Sequence, residues 1–294
     1  MKVGSAMIEG MEQLVVVSDD GIRVVTDLAS RYEGPTSGRW TMERLMQEGE
    51  EMWEKIARWE ARAQHEGFGI SAATLTWLAP VPRPGKILCV GLNYRPHAVE
   101  AQLPIPDYPV LFNKFGSSVV GNDAFVSIPD GVEELDYEAE LVLVIGKKCR
   151  NVTEENALRF VAGYCNGNDV SARDLQRRTS QWLLGKVLDG FAPMGPYLVT
   201  SNEVADPDAL EIIGLRNGEA VQHSNTRHMI FSCRTLVSYI SRYMTLYPGD
   251  IIFTGTPEGV ILGKPEAERQ WLSSGEEFTV AIEGLGQLKT TIAE

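Results

Sequence analysis

The sequence predicts an α+β protein, a strand-rich body preceded by a small α+β unit, and three observations carry that reading. Strand-like runs crowd the chain after residue 85: ILCVG, VLFNK, ELVLVIG, PYLVT, EIIGLRNG, DIIFTG, EFTVAIEG and QLKTTI, with glycine or polar turn residues between many of them. Residues 41–66 change period, with apolar side chains recurring at three and four. Between these regions APVPRPGK (79–86) packs three prolines and a glycine, a composition that resists helix and sheet alike. The boundary is placed there, giving units at 1–80 and 81–294.

In chain order, LVVVSDDGIRVVTDL reads as β-like runs joined by a tight turn at SDDG. Met42, Leu45, Met46, Gly49, Met52, Trp53, Ile56 and Ala57 then mark one face of a helix whose other face is mostly glutamate. Two further helices interrupt the strands of the main body. In NVTEENALRFVAGY, Thr153 suits an N-cap, Glu154 and Glu155 suit the positive end of the helix dipole, and Gly163 suits the C-terminal cap. SCRTLVSYISRYM (232–244) repeats the amphipathic pattern.

Composition narrows the function. Asp and Glu number 40 against 27 Lys and Arg, a net charge of −13, which opposes phosphate backbones and anionic lipids and excludes nucleic acid and membrane as partners. Glu9, Glu12 and Gln13 interrupt the apolar residues of the N-terminus, so no signal-peptide core is expected. Cys89, Cys149, Cys165 and Cys233 form no C-x-x-C pair and read as reduced thiols of a cytoplasmic protein.

The stretch LDYEAELVLVIG (135–146) sets the central problem. Residues i and i+2 of a strand share a face about 6.6–6.8 Å apart, so Asp136, Glu138 and Glu140 point one way and Tyr137, Ala139, Leu141, Leu143 and Ile145 the other. The acidic face turns apolar at Val142 and Val144. One reading is the wet end of a strand, its glutamates solvated or paired with lysines. The other is a shared divalent ion, whose charge cancels the repulsion and whose preference for oxygen suits Mg²⁺, Mn²⁺ or Ca²⁺. Asp169 in GYCNGNDVSARDLQ offers a third carboxylate, though GND also fits a turn residue.

Six motifs, ILCVGLNY..HA.E, LDYEAEL, NDVSARDLQ, GKVLDGFAPMGP, MIFS and PGDIIFTGTPEGV, occur in the order seen in the fumarylacetoacetate hydrolase family, so residues 85–294 resemble that family. The first 80 residues resemble the variable N-terminal domain of its bacterial members. The resemblance implies a mixed, rolled β-sheet whose site lies at one open end, in a homodimer, with Glu138, Glu140 and Asp169 as the ligands of Mg²⁺ or Mn²⁺, Ca²⁺ being compatible. It also implies that His97 and Glu100, in NYRPHAVE, form a lid pair that activates water, and that Lys186 and Gln176 stabilise an oxyanion. Lys114, Thr256 and Arg95 are further candidates for binding substrate. Many members carry Asp immediately before the histidine, where this chain has Pro96, so a fourth carboxylate contact is lost.

The resemblance implies a hydrolase that cleaves a C–C bond in a 2,4-dioxo acid of the acylpyruvate or fumarylpyruvate type, through an enolate stabilised by the ion. Oxaloacetate decarboxylation and muconate-type keto–enol isomerisation use the same ion without an attacking water. A binding or scaffold protein with weak residual activity is the alternative from another class, and it has no physical need for a carboxylate cluster.

Overall fold

In the computed structural model, which describes residues 1–35, 38–69, 75–100 and 104–294, the run ELVLVI becomes the strand Ala139–Ile145 near the middle of a large sheet. It pairs antiparallel with Val161–Asn168 on one side and Ile251–Phe253 on the other, in register Glu140 to Gly167 and Val142 to Phe253. Beyond Ile251–Phe253 lie Ile87–Gly91, parallel to it, and Val110–Lys114. Beyond Val161–Asn168 lie Ala192–Thr200 and then Lys2–Ile8, Met11–Ser18 and Gly21–Val24. A second sheet of five strands, among the described residues, is ordered Glu219–Asn225, Glu211–Arg216, Glu277–Ile282, Gln287–Ala293 and Ala124–Ser127. The α+β class and mixed sheets expected from the sequence are both present.

The central strand is buried on both faces, and the alternation assigns each face a different core. Tyr137, Ala139, Leu141, Leu143 and Ile145 pack with Phe278, Val280 and Leu236. Val142 and Val144 pack with Val3, Leu14, Trp40 and Ile56 of the first unit. Each fully buried aliphatic side chain contributes about 1.5–3 kcal/mol, and this fixes the strand that carries the carboxylates. The N-terminal strands therefore extend the main sheet, through Lys2 to Val199 and Val3 to Leu198, and share its core. APVPRPGK lies between Thr76–Trp77 and Ile87–Gly91 and contributes no strand or helix.

Three local expectations change. VVTDL, read as strand, is helical from Val25 to Glu33: its Val25, Leu28 and Ala29 are buried, a helical spacing that the preceding β-branched run hides. The helix at 41–66 is two helices, Met42–Glu48 and Glu50–His65, because Gly49 has φ +81° and ends the first while starting the second. The Thr153 helix stops at Ala157, and Gly163 is a strand residue within Val161–Asn168 instead of a cap. The SDDG turn forms as expected, pairing Ser18 with Gly21, and Ser232 caps Cys233–Tyr243 by accepting from the Thr235 N–H.

Candidate metal centre

Two strand ends and a turn bring the carboxylates together. Glu140 is the second residue of the central strand, Glu138 lies just before it, and Asp169 follows the end of Val161–Asn168, with its N–H donating to the Glu138 carbonyl at 3.0 Å. All three side chains are buried, and one carboxylate oxygen from each lies within 4.8 Å of the others.

Cations hold two of them. Lys186 Nζ donates to Glu138 Oε2 at 2.7 Å and to Asp169 Oδ2 at 2.9 Å. Arg173 Nη2 donates to Glu138 Oε1 at 2.7 Å. Burial raises the Glu138 pKa, but Lys186 and Arg173 outweigh it and hold the group at about 2. Lys114 Nζ lies 2.6 Å from Asp169 Oδ1 while donating to the carbonyls of Val170, Lys186 and Phe191, so it steadies three chain segments beneath the site.

Glu140 is different. Among the described residues no cationic side chain is within ion-pair distance of it; its Oε2 accepts from the Gly255 N–H at 2.7 Å. Burial, followed by the neighbouring Asp169 and Glu138, pushes its pKa well above the usual carboxylate range. A buried carboxylate crowded by two others and lacking a counter-charge is the environment that a bound cation relieves. The donor set is all oxygen, so the residues present fit a hard divalent ion.

Asp136, which the sequence left without a role, turns out to be a junction. The chain breaks its alternation between Leu135–Asp136 and Ala139–Ile145, and the Asp136 carboxylate accepts from Arg173 Nε at 2.8 Å and from the N–H groups of Ile261 and Leu262 at 2.9 and 3.1 Å. Arg173 in turn donates through Nη1 to Gln176 Oε1 at 2.9 Å, which leaves the Gln176 Nε2 end as its donor. Arg173 was not singled out from the sequence. A buried acid on the ligand face needs a cation, and the arginine of SARDLQ was the nearest unused one in the matched motifs.

A cavity of about 670 Å³ opens above these groups, lined by His97, Glu100, Glu138, Glu140, Arg173, Gln176, Lys186 and Thr256. His97 and Glu100 share a face of the short helix Arg95–Glu100, with His97 Nδ1 3.2 Å from Glu100 Oε2. Glu100 also accepts from the Gly259 N–H at 3.1 Å. Three candidates sit differently from expectation. Arg95 is exposed and outside the cavity lining, because it occupies the outer side of the lid helix. Lys114 lies below the cavity, its N–H groups committed to carbonyls. Thr256 lines the cavity, but its hydroxyl donates to the Ala139 carbonyl at 2.9 Å and accepts from Gln222 Nε2, so it braces the strand instead of offering a proton to substrate.

Residues 86–293 match the family described as fumarylacetoacetate (FAA) hydrolase, C-terminal. The chain belongs to that family. It is 49% identical over 225 residues, 73% of each chain, to a fumarylacetoacetate hydrolase domain-containing protein 2 homolog of Dictyostelium discoideum. It is 44% identical over 249 residues to the human mitochondrial oxaloacetate tautomerase FAHD2A, covering 84% of this chain and 77% of that one. The structure of maleylpyruvate hydrolase from Sphingobium sp. SYK-6, solved with manganese(II) and pyruvate, superposes with a TM-score of 0.78 at 28% identity, covering all of this chain and 99% of that one. The human and Sphingobium relatives are named as enzymes, and this chain belongs to the same enzyme family and carries a buried acidic triad able to hold a metal ion. Its vertebrate relative is named mitochondrial, which does not support the cytoplasmic placement expected from composition; no helix among the described residues is long and apolar enough to cross a membrane.

Proposed function

We propose that the protein is a divalent-metal-dependent keto–enol tautomerase of a 2-oxo acid of the oxaloacetate type, with Mg²⁺ or Mn²⁺ held by Glu138, Glu140 and Asp169. The observation that carries this reading is the His97–Glu100 pair lining the same cavity as Glu138 and Glu140, two of the three clustered carboxylates. The ion, when bound, supplies positive charge that polarises the 2-oxo group and acidifies the adjacent C–H. Glu100 accepts the Nδ1 proton of His97, and Gly259 holds Glu100 in place, so Nε2 is the basic atom. His97 removes the C3 proton; the C–H electron pair becomes the C2–C3 π bond, and the C2 oxygen gains the negative charge and then a proton. Return of the proton to C3 reverses the step. Gln176 and the remaining N–H of Lys186 face that developing charge as donors.

The oxaloacetate tautomerases among the relatives support this chemistry over the hydrolysis implied by the motifs. C–C hydrolysis of an acylpyruvate remains the second reading, favoured by a cavity whose volume falls in the range of sites for larger ligands. The active unit in either reading is the homodimer that the family resemblance implies, checked by sedimentation.

Enol absorbance of oxaloacetate, followed with and without Mn²⁺, tests the proposal, with acetylpyruvate and fumarylpyruvate as hydrolysis substrates. Metal-dependent acceleration of the keto–enol exchange is expected. Hydrolysis of the dioxo acids without accelerated exchange would overturn it in favour of the second reading.

A further inference from the structure

The cavity has a second charged region, outside the residues that the motifs single out. Lys264 and Arg269, from the loop after Gly259, both line it and are both half-buried. Among the described residues no carboxylate lies within ion-pair distance of either, although the chain carries 40 acidic residues and Glu266 and Glu268 lie between them in sequence. Arg177, which also lines the cavity, is by contrast paired with Glu134. A half-buried cation with no carboxylate partner in so acidic a chain leaves its charge available to an anion from outside the protein.

The loop that presents these cations is built to hold position. The Ile261 and Leu262 N–H groups donate to Asp136, the Lys264 N–H donates to the Ile261 carbonyl at 3.1 Å, and Arg269 Nε donates to the Lys264 carbonyl at 2.9 Å. Gly263 packs so closely on the Glu100 carboxylate that a side chain there would collide with it. Lys264 is therefore tied on one side to the lid pair and on the other, through Asp136, to Arg173 and the ligand Glu138. One carboxylate, Asp136, thus holds both the start of this loop and Arg173.

We propose that Lys264 and Arg269 form a recognition point for a second carboxylate, at the end of the substrate remote from the 2-oxo acid group, so that the enzyme selects dicarboxylic over monocarboxylic 2-oxo acids. The proposal rests on the 2-oxo acid reading above. The metal-side groups engage one end of the substrate in any such acid; discrimination then comes from the other end, where a carboxylate meets two unpaired cations and a methyl group leaves them unpaired.

The test is calorimetric binding to the Mn²⁺-loaded protein of two pairs of acids matched in chain length: 2-oxoglutarate with 2-oxopentanoate, and 2-oxoadipate with 2-oxohexanoate. The native protein is expected to prefer the dicarboxylic acid in at least one pair by about tenfold, the scale of one charge-assisted contact. Lys264→Gln with Arg269→Gln is expected to abolish that preference while leaving the monocarboxylic affinity unchanged; both positions are half-exposed loop residues, and thermal melting checks the fold. Equal affinities in the native protein, or a preference that survives the double substitution, would overturn the subsite. Failure of all four acids to bind would overturn the 2-oxo acid reading, and the subsite with it.

Discussion

The floor and the rim of the cavity are built on opposite principles. On the floor, Glu138, Asp169, Lys186, Arg173 and Lys114 are buried, and each charge meets a partner within 3 Å, around the ends of strands locked by two hydrophobic cores. On the rim, the Arg95–Glu100 helix and the loop through Lys264 and Arg269 are partly exposed and held by a few backbone donors. A floor of this kind keeps ligands in register for one ion; a rim of this kind changes with the substrate at little cost to the fold. The difference assigns ion binding to the floor and selectivity to the rim.

Substitutions sharpen the contrast, beginning with the floor. Glu138→Ala removes a ligand and strands Lys186 and Arg173, so ion binding and turnover should fall together by more than the about 100-fold that changes around a metal site reach. A metal-loaded, active Glu138→Ala protein would remove Glu138 from the ligand set. Lys114→Met leaves Asp169 Oδ1 and three carbonyls without that cation beneath the cavity, with only Lys186 still paired to Asp169. It should lower stability by about 3–5 kcal/mol in denaturant unfolding, and an unchanged midpoint would show that Lys114 is dispensable to the floor.

The rim should respond in rate before stability. His97→Ala is expected to slow keto–enol exchange by about 10²–10⁴-fold with a near-native melting temperature, and a loss below threefold would take the proton from His97. Arg95→Ala, on the outer side of the lid, should change neither the rate nor the melting temperature beyond about 0.5 kcal/mol equivalent. A large effect on KM would return Arg95 to the substrate.

From residues alone the E-x-E of the floor reads either as a wet strand end or as an ion site, and Asp169 either as a third ligand or as a turn residue; the resemblance of the motifs, not the spacing, selects Glu138, Glu140 and Asp169. Burial of the carboxylates, the detail that separates an ion site from a wet strand end, depends on partners distant in sequence: Lys186, Arg173 and the Gly255 N–H. The role of Asp136 was hidden for the same reason, since its partners lie 37 and 125 residues away. Local pattern also misled where β-branched residues continue into a helix at Val25 and where one glycine splits a helix at Gly49. The separation of the first 80 residues by a proline-rich break reflects chain path, and pairing between Lys2–Ile8 and Ala192–Thr200 across that break is not visible in composition.

The most direct test is a calorimetric titration of Mn²⁺ into the native protein and into Glu140→Gln, which removes the one carboxylate of the triad lacking a cationic partner and leaves the Lys186, Arg173 and Lys114 pairs intact. The account predicts one Mn²⁺ per chain in the native protein and loss of that site in the variant, with the melting temperature held or raised as the buried charge disappears. Equal Mn²⁺ binding by both proteins would contradict the ligand set, and no binding by the native protein would contradict the metal centre itself.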